Sequence, residues 1–222
     1  MSSIKLSSRT VGILQNFSSI SSSIVLQPGK RLCTISESQT LIAMADIEED
    51  FPSEFPILDV SKLLSIMKLK SFKECELDFQ DKRIILRGDK AEMQFWASAK
   101  ELTTPPPEDL QMPSIEFQAE VQADQLSEFI RVCSVMSHKT AMLVNKAGKT
   151  FLIGTTSELE NSNDYTLELG ETTLGDCEFP MDVSNFKMME SPYIIKTCEE
   201  MQVACFESTD GSAKYYVGMQ LA

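Results

Sequence analysis

The sequence is poor in the residues on which most enzyme and metal sites depend. Its 222 residues include one histidine, His138, and six cysteines that form no C-x-x-C pair. No Ser–His or Cys–His partnership can be assigned, and no H-x-x-x-H metal motif exists. Acidic pairs such as Glu48/Glu49 and Glu199/Glu200 fall in predicted loops, where solvated charge is a better explanation than metal binding. We therefore predict no catalytic residue, no metal and no cofactor.

Long apolar runs are also missing. No stretch of about 18 apolar residues occurs, so we predict no membrane span, and the first residues lack the apolar core of a signal peptide. We interpret the cysteines as reduced, mostly buried thiols of a cytosolic protein. They are Cys33, Cys75, Cys133, Cys177, Cys198 and Cys205.

Positive charge is scarce. The chain has 20 Lys and Arg against 33 Asp and Glu, a net charge of −13, and such a protein repels nucleic acid as a whole. The basic residues nevertheless concentrate in and beside the predicted helices. Ordinary solvated helix faces would explain this pattern, and the alternative is a basic, helix-lined surface that faces phosphates, with an acidic exterior elsewhere. The residues are Lys5, Arg9, Lys62, Lys68, Lys70, Arg131, Lys139 and Lys187.

One stretch occurs twice, about half a chain apart. Glu54-Phe55-Pro56-Ile57-Leu58-Asp59 is matched by Glu178-Phe179-Pro180-Met181-Asp182. In each copy Phe-Pro ends an extended segment, because the residue before proline avoids the α region. Asp59 and Asp182 then cap a predicted helix whose apolar residues recur at helical spacing. The repeat predicts one structural unit used twice.

The remaining pattern agrees with a repeat. Each half begins with a long predicted helix, over 5–20 and after a cap at Asp124, and continues with short strands, a shorter helix and more strands. Lys146–Lys149 is predicted to be a hairpin turn, because position 143 is not the glycine that a phosphate-binding loop requires. Pro105-Pro106-Pro107 indicates a stiff polyproline II spacer. We predict an α+β protein with domains at 1–103 and 113–222 and a Pro-rich linker at 104–112.

An ordered set of residues along most of the chain resembles the DNA polymerase sliding clamp of T-even-type phages. The set comprises Lys5-Leu6-Ser7…Thr10…Leu14-Gln15-Asn16-Phe17…Ile20…Ser23-Ile24…Leu26…Gly29, then Phe55-Pro56-Ile57…Asp59, and finally Tyr165…Leu167…Leu169-Gly170. The resemblance implies two clamp-type domains of similar topology, with helices on one inner face and antiparallel sheets outside.

The resemblance also implies a function. Such clamps are homotrimeric rings that encircle duplex DNA without sequence preference and tether the replicative DNA polymerase, which confers processivity in DNA replication. An ATP-driven clamp loader places them on DNA, and they assist late viral transcription with its transcription factors. They have no enzymatic activity, and a bacteriophage clamp works in the cytoplasm of the infected bacterial host. The basic residues named above would then face the DNA.

Simple geometry favours a trimer. A domain of this size has a radius of gyration of roughly 13 Å, hence a sphere radius of about 17 Å. Four touching spheres of that size leave a hole of about 14 Å and six leave about 34 Å, whereas a duplex is about 20 Å across. Two domains per chain therefore imply three chains joined head to tail. Small polar residues on the helix faces suit a surface that slides, and they are Gly12, Asn16, Ser19, Ser61, Ser65, Ser127, Ser134 and Ser184.

Two further surfaces follow from the resemblance. The subunit contact is expected to join one edge strand from each domain, through Met93 and Phe95 on one side and Tyr165 and Leu167 on the other, although each of these residues could equally be domain core. Partner proteins are expected to insert short apolar peptides into a pocket near the linker. Its candidate residues are Leu102, Leu110, Met112, Tyr216, Met219 and Leu221, which could equally be domain core.

Two other functions remain open from the residues. A structural phage protein would also form rings but would not stimulate a polymerase. An α+β enzyme without a recognised motif would need a deep pocket with perturbed carboxylates.

Overall fold

The computed structural model of the chain describes residues 2–103, 110–156 and 163–220. The chain divides into two compact units, Met1–Glu108 and Asp109–Ala222. This division falls inside the predicted linker at 104–112, most of which lies outside the described residues. The predicted domain limits at 103 and 113 therefore stay predictions.

The described part of the first unit contains two α-helices, α1 (Ser8–Ile20) and α2 (Val60–Met67), and eight strands. The strands are β1 (Ser2–Ile4), β2 (Ile24–Leu26), β3 (Gly29–Ile35), β4 (Leu41–Phe51), β5 (Phe55–Ile57), β6 (Glu76–Gln80), β7 (Arg83–Arg87) and β8 (Glu92–Trp96). Single 3₁₀ turns occur at Lys70–Phe72 and Lys100–Leu102.

The first unit packs its two helices against antiparallel strands. Strands β1, β6, β7 and β8 form one sheet in that order, while β2 pairs with β5 and β3 pairs with β4. Helix α1 contacts both α2 and β4, and it buries Ile13, Leu14 and Phe17. Phe79 of β6 meets Phe51 of β4 and Phe55 of β5 edge-on at ring-centroid distances of 5.7 and 5.9 Å, which ties three strands into one core.

The described part of the second unit contains one α-helix, α3 (Ala123–Met136), and eight strands. The strands are β9 (Phe117–Val121), β10 (Thr140–Lys146), β11 (Lys149–Thr155), β12 (Tyr165–Glu171), β13 (Cys177–Asp182), β14 (Tyr193–Cys198), β15 (Val203–Ser208) and β16 (Ala213–Gly218). A 3₁₀ turn occupies Val183–Asn185.

The strands of the second unit form two antiparallel arrays around an aromatic core. One array has the order β12-β11-β10-β13, and within the other β16, β15, β14 and β9 follow one another. Phe186 lies between Phe129 of α3 and Phe206 of β15, at ring-centroid distances of 6.1 and 5.5 Å. Helix α3 buries Leu126, Phe129 and Cys133, the face that the helical spacing predicts.

Most predicted elements are present. The sequence pattern predicts strands at Ile24–Leu26 and Tyr193–Cys198, and both have these bounds in the structure. It also predicts a strand at Thr40–Ala45, which the structure continues as β4 to Phe51. The Lys146–Lys149 turn is confirmed. Ala147 and Gly148 have φ values of 53° and 76°, as a two-residue hairpin turn requires. All six cysteines are free thiols.

The second copy of the repeat does not form the predicted short helix. Asp59 caps α2 by accepting from the Lys62 N–H at 3.0 Å, but Asp182 caps only the 3₁₀ turn through the Ser184 N–H at 2.8 Å. The next strand begins at Tyr193, so fewer residues are available after Asp182 than between Asp59 and β6. The shorter segment has no room for two α-helical turns and a return to the sheet.

Two local predictions at helix starts were wrong. Helix α1 begins at Ser8 with Ser7 as its N-cap, so Lys5 precedes the helix. Gln122, not Asp124, caps α3, and its main-chain N–H donates to the Gln125 side-chain oxygen at 3.0 Å. The cap therefore lies two residues earlier than expected and forms a capping box with Gln125.

The prediction of a loop at Glu48 to Asp50 was wrong, because these residues form the end of β4. The side chains alternate: Ile47 and Phe51 are buried, Glu48 and Asp50 are exposed, and Glu49 is half-buried. The Glu49 carboxylate accepts hydrogen bonds from the Ser7 N–H and, at 2.5 Å, from the Thr10 hydroxyl. A strand residue thus satisfies the donors in the first turn of α1, where negative charge is favourable.

We expect Glu49→Gln to lower the free energy of unfolding by about 1–3 kcal/mol at neutral pH, as for other hydrogen bonds to a charged group. Burial alone would raise the pKa of Glu49, but the hydrogen bonds from Thr10 and Ser7 outweigh it and lower the pKa. The contribution is therefore complete above the pKa of the unfolded chain and is lost as the pH falls through the folded-state pKa. Denaturant unfolding at neutral and acid pH measures both effects.

Glu48→Gln is the matched control, since it removes the same charge from the exposed neighbour. Equal destabilisation by the two variants, or a difference between Glu49→Gln and wild type that persists at acid pH, would contradict this role of Glu49.

Candidate functional site

The predicted DNA-facing cations of the first unit lie on or beside its two helices. Lys5 precedes α1 and pairs with Glu74 at 2.9 Å. The hydrogen bond and charge of Lys5 lower the pKa of the Glu74 carboxyl. Arg9 lies in the first turn of α1 and donates to the Asp46 carbonyl at 3.0 Å. Both basic side chains are exposed.

Three more cations follow α2 along its length. Lys62 is exposed in its first turn and pairs with the capping Asp59 at 3.3 Å. Lys68 is the C-cap residue of α2, and Lys70 begins the 3₁₀ turn after it. Because α1 contacts α2, these helices bring the cations of the first unit to one helical layer, where two of them already have a carboxylate partner.

The second unit places its cations around α3. Arg131 is exposed on the helix, and Lys139 follows its end, where main-chain bonds join Lys139 to Thr155 at 3.2 Å and Val183 at 2.9 Å. Lys187 is exposed after the 3₁₀ turn, with its N–H bonded to the Asn185 carbonyl at 2.8 Å. Lys187 therefore lies outside any helix or strand, just after the 3₁₀ turn, and not on the helix that the sequence predicted.

The helix faces between these cations carry small polar side chains. On α1, Gly12 and Asn16 are half-buried and Ser19 is exposed. A Cβ atom added at Gly12 would meet no heavy atom within 4 Å, so packing within the chain does not require glycine there. Ser61 and Ser65 of α2, Ser134 of α3 and Ser184 are likewise exposed, and Ser127 is half-buried.

The predicted contact strands are both outermost strands of their sheets. Strand β8 pairs with β7 in the order β1-β6-β7-β8, and β12 pairs with β11 in the order β12-β11-β10-β13. Met93 and Phe95 lie opposite the buried Leu86 and Ile84, and Leu167 lies opposite the buried Leu152. These side chains continue the core face of each sheet to its edge, yet they remain partly exposed.

A groove runs between β8 and α2. It is lined by Met93 and Phe95 from the strand and by Ser61, Ser65 and Ile66 among others from the helix. Ile66 is a functional candidate that the sequence analysis missed. The sequence did contain an indication. Ile66 is apolar but falls outside the buried stripe of Val60, Leu63 and Leu64, so it is an apolar residue on the outer side of the helix.

The candidate residues of the peptide pocket have varied environments. Leu102 is 61% exposed, whereas Tyr216 is buried and donates through its hydroxyl to the Leu110 carbonyl at 3.3 Å. Met112 is half-buried, and Met219 forms a single bridge to Met181. Leu221 lies outside the described residues. Among these residues the structure brings together Tyr216 and Leu110, and the pocket stays a prediction.

Within the described ranges, no three His, Cys, Asp or Glu side chains form a group that could hold a metal ion. None of the helices in those ranges is long and apolar enough to cross a membrane.

The comparisons with solved structures concern the fold. The PCNA2–PCNA3 complex from Sulfolobus tokodaii matches 99% of this chain and 99% of that chain with a TM-score of 0.68 at 16% identity. A putative DNA polymerase III β subunit from Eubacterium rectale matches 100% of this chain and 66% of that chain with a TM-score of 0.73 at 11% identity. The two units therefore have the fold of clamp-type ring proteins.

Sequence relatives narrow the class. No family model matches the chain, but the sliding clamp of Vibrio phage KVP40 is 29% identical over 184 residues, which cover 79% of this chain and 81% of the relative. The sliding clamp of Escherichia phage RB69 is 28% identical over 225 residues, 98% of this chain and 97% of the relative. The resemblance to the sliding clamps of T4-type phages is confirmed.

We expect Gly12→Ala to raise the free energy of unfolding by about 1 kcal/mol, because alanine is the better helix former and the added methyl group meets only open space. Chemical denaturation of the purified protein measures the change. Gly154→Ala is the contrasting variant, since its Cβ would lie 2.6 Å from the Cys133 Sγ and 2.8 Å from the His138 Nδ1. A destabilising Gly12→Ala would mean that α1 needs glycine for its own packing.

Proposed function

We propose that the chain is the subunit of a sliding clamp, in which three copies close into a ring around duplex DNA. The observation that carries the proposal is the pair of unlike sheet edges, β8 in the first unit and β12 in the second. A contact between unlike edges is heterologous, and repeated heterologous contacts close into a ring when the rotation permits. The sequence relatives named sliding clamps support the same conclusion.

The subunit contact joins β8 of one copy to β12 of the next. An outermost strand offers a row of backbone donors and acceptors that a second strand can pair with. The exposed surface that lines the groove between β8 and α2 is mostly apolar, and Ile66, Met93 and Phe95 contribute to it. Tyr165 and Leu167 are half-buried apolar residues on β12, and their chemistry suits that groove. The contact therefore combines strand pairing with burial of side chains.

The DNA contact is electrostatic and independent of sequence. The candidate cations Lys5, Arg9, Lys62, Lys68, Lys70, Arg131, Lys139 and Lys187 lie on or beside helices. Between them the helices present small side chains with few groups for bidentate base recognition, so contacts to phosphate position the DNA without specifying a sequence. A net charge of −13 keeps DNA away from the rest of the surface. Weak phosphate contacts of this kind allow the ring to slide.

In this proposal the ring tethers the replicative phage DNA polymerase and confers processivity, without enzymatic activity of its own. An ATP-driven clamp loader places it on DNA, and late transcription factors use it as a coactivator in the cytoplasm of the infected bacterial host. Partner tails dock by short apolar peptides. One clamp of this fold, from Helicobacter pylori, has been crystallised with a DNA ligase peptide, which supports peptide docking as a mode open to the fold.

The first test is the mass of the free protein and of Met93→Glu by light scattering at several concentrations. We expect wild type to approach three times 24.8 kDa and to dissociate on dilution. Met93→Glu should weaken assembly by about tenfold or more, since a charge would be buried in the contact without a partner. Trimer-dependent stimulation of the cognate polymerase on primed DNA completes the test.

Met136→Glu is the matched control. Met93 and Met136 are 36% and 41% exposed, but Met136 ends helix α3, outside the proposed contact. A wild-type monomer at high concentration, or equal weakening of assembly by both variants, would contradict the proposed contact. A stable ring that never stimulates the polymerase would favour a structural phage protein.

A second prediction concerns Glu74, whose carboxylate forms an ion pair with Lys5. Exposed ion pairs such as this one contribute little to stability, so phosphate competes with Glu74 for the lysine. Glu74→Gln removes the competitor, and we expect the slope of log K against log salt to steepen by up to about 0.9 for each added phosphate contact. Fluorescence anisotropy with a short duplex, which threads the ring without a loader, measures this slope.

Glu48→Gln is the control, because Glu48 lines the same surface depression as Lys5 and Glu74 and loses the same charge. An unchanged slope in Glu74→Gln, or the same change in both variants, would mean that Lys5 does not contact DNA.

A further inference from the structure

The only histidine of the chain, His138, lies at the junction of four elements of the second unit. Ser137 has a positive φ of 58° and ends α3, and the His138 N–H then donates to the Cys133 carbonyl at 2.9 Å. The next residue, Lys139, joins the end of β11 through Thr155 and the start of the 3₁₀ turn through Val183. The imidazole is therefore held at a fixed point, with 6% of the residue exposed.

The imidazole bonds to the chain just before β12. Its Nε2 lies 2.9 Å from the Asn163 carbonyl oxygen. A carbonyl can only accept, so Nε2 carries the proton and Nδ1 has the lone pair in the neutral ring. Nδ1 is buried and has no hydrogen-bond partner among the described residues. An unsatisfied buried nitrogen costs free energy, so stability alone does not explain why this position holds histidine.

Strand β11 makes room for the ring. At Gly154 an added Cβ would lie 2.8 Å from Nδ1 and 2.6 Å from the Cys133 Sγ, so any other residue would displace the imidazole or the thiol. The histidine consequently reaches across the end of β11 to Asn163. Glycine in the strand and histidine after the helix thus form one arrangement, although glycine weakens the interior of a strand.

A second contact lies close to the His138–Asn163 hydrogen bond and joins α3 itself to β12. The ring of Phe129, which is fully buried on α3, lies 6.0 Å from the ring of Tyr165, the first residue of β12. The hydrogen bond to Asn163 and the ring contact to Tyr165 therefore attach the start of β12 to α3 at two points. Helix α3 carries Arg131, and β12 is the outermost strand of its sheet.

We infer that His138 is a positioning residue for the subunit contact: its Nε2–H holds the start of β12 in the place from which Tyr165 and Leu167 reach the neighbouring copy. The same bond links the edge strand to the helix that carries a DNA-facing cation. This inference rests on the proposed function, because it assumes that β12 lies in the contact. It adds the residue that sets the geometry of that edge.

Three variants test the inference by assembly and unfolding together. His138→Leu replaces the imidazole with an apolar side chain of moderate size and so removes the donor. His138→Gln keeps a donor at the end of the side chain. Tyr215→Phe is the control, since it removes another buried hydrogen bond of the same unit, from the Met189 N–H at 3.3 Å, and neither Met189 nor Tyr215 belongs to α3 or β12. Light scattering on dilution gives the assembly constant, and denaturant unfolding gives stability.

We expect His138→Leu to weaken assembly by about tenfold or more, since the Asn163 carbonyl loses its partner, and His138→Gln to restore most of it. Tyr215→Phe should lower the unfolding midpoint without changing assembly. Assembly of His138→Leu as tight as wild type, or an equal loss in Tyr215→Phe, would overturn the inference while the wild-type trimer upholds the proposed function. A monomeric wild type would overturn both.

Phe129→Leu provides a second variant should His138→Leu fail to fold. It weakens the other attachment of β12 while keeping the core apolar, so it should also weaken assembly more than Tyr215→Phe does. Hydrogen exchange of His138→Leu, compared with wild type, adds a local measurement. Exchange that accelerates at the amides of Tyr165 to Leu167 more than at those of α3 supports the positioning role, and uniform acceleration across the unit contradicts it.

Discussion

The backbone of an outermost β-strand has donors and acceptors that its own sheet leaves without a neighbour, and the proposed assembly depends on this constraint. In this chain the two edge strands of the proposed contact, β8 and β12, have different surroundings. Strand β8 ends a sheet beside helix α2, with Met93 and Phe95 at the rim, and β12 ends a sheet that is attached to helix α3. Because the edges are unlike, β8 of one copy can be complementary to β12 of another copy without being complementary to a second β8. Unlike edges direct association toward a ring, not an isologous dimer.

In the proposed ring the charge distribution has to satisfy two opposing requirements. A ring around DNA needs cations inside, but strong pairing to phosphate would stop it from moving. The first unit places carboxylates beside two of its cations, Glu74 at Lys5 and Asp59 at Lys62. These exposed pairs are weak, so they moderate the cations without neutralising them. The acidic remainder of the chain limits binding of DNA elsewhere.

The two units are related but unequal, and the inequality has structural consequences. The Phe-Pro copies both lead into a side-chain cap, yet the first leads to the helix Val60–Met67 and the second only to the turn Val183–Asn185. In the first unit α2 provides one wall of the groove beside β8. In the second unit the segment after the turn contributes Phe186, whose ring packs between Phe129 and Phe206. The repeat therefore keeps a common core while the helical layer changes.

The sequence by itself determined the local features: the amphipathic helices α1 and α3, most strands, the Lys146–Lys149 hairpin and the presence of a repeat. These depend on side-chain periodicity and on φ preferences, which act over a few residues. Only the tertiary structure decided that Glu49 completes α1 from a strand, that Ile66 lines a groove and that His138 reaches Asn163. Such pairs lie far apart in the chain or depend on a neighbouring element, so the packing of elements against one another decides which side chains meet.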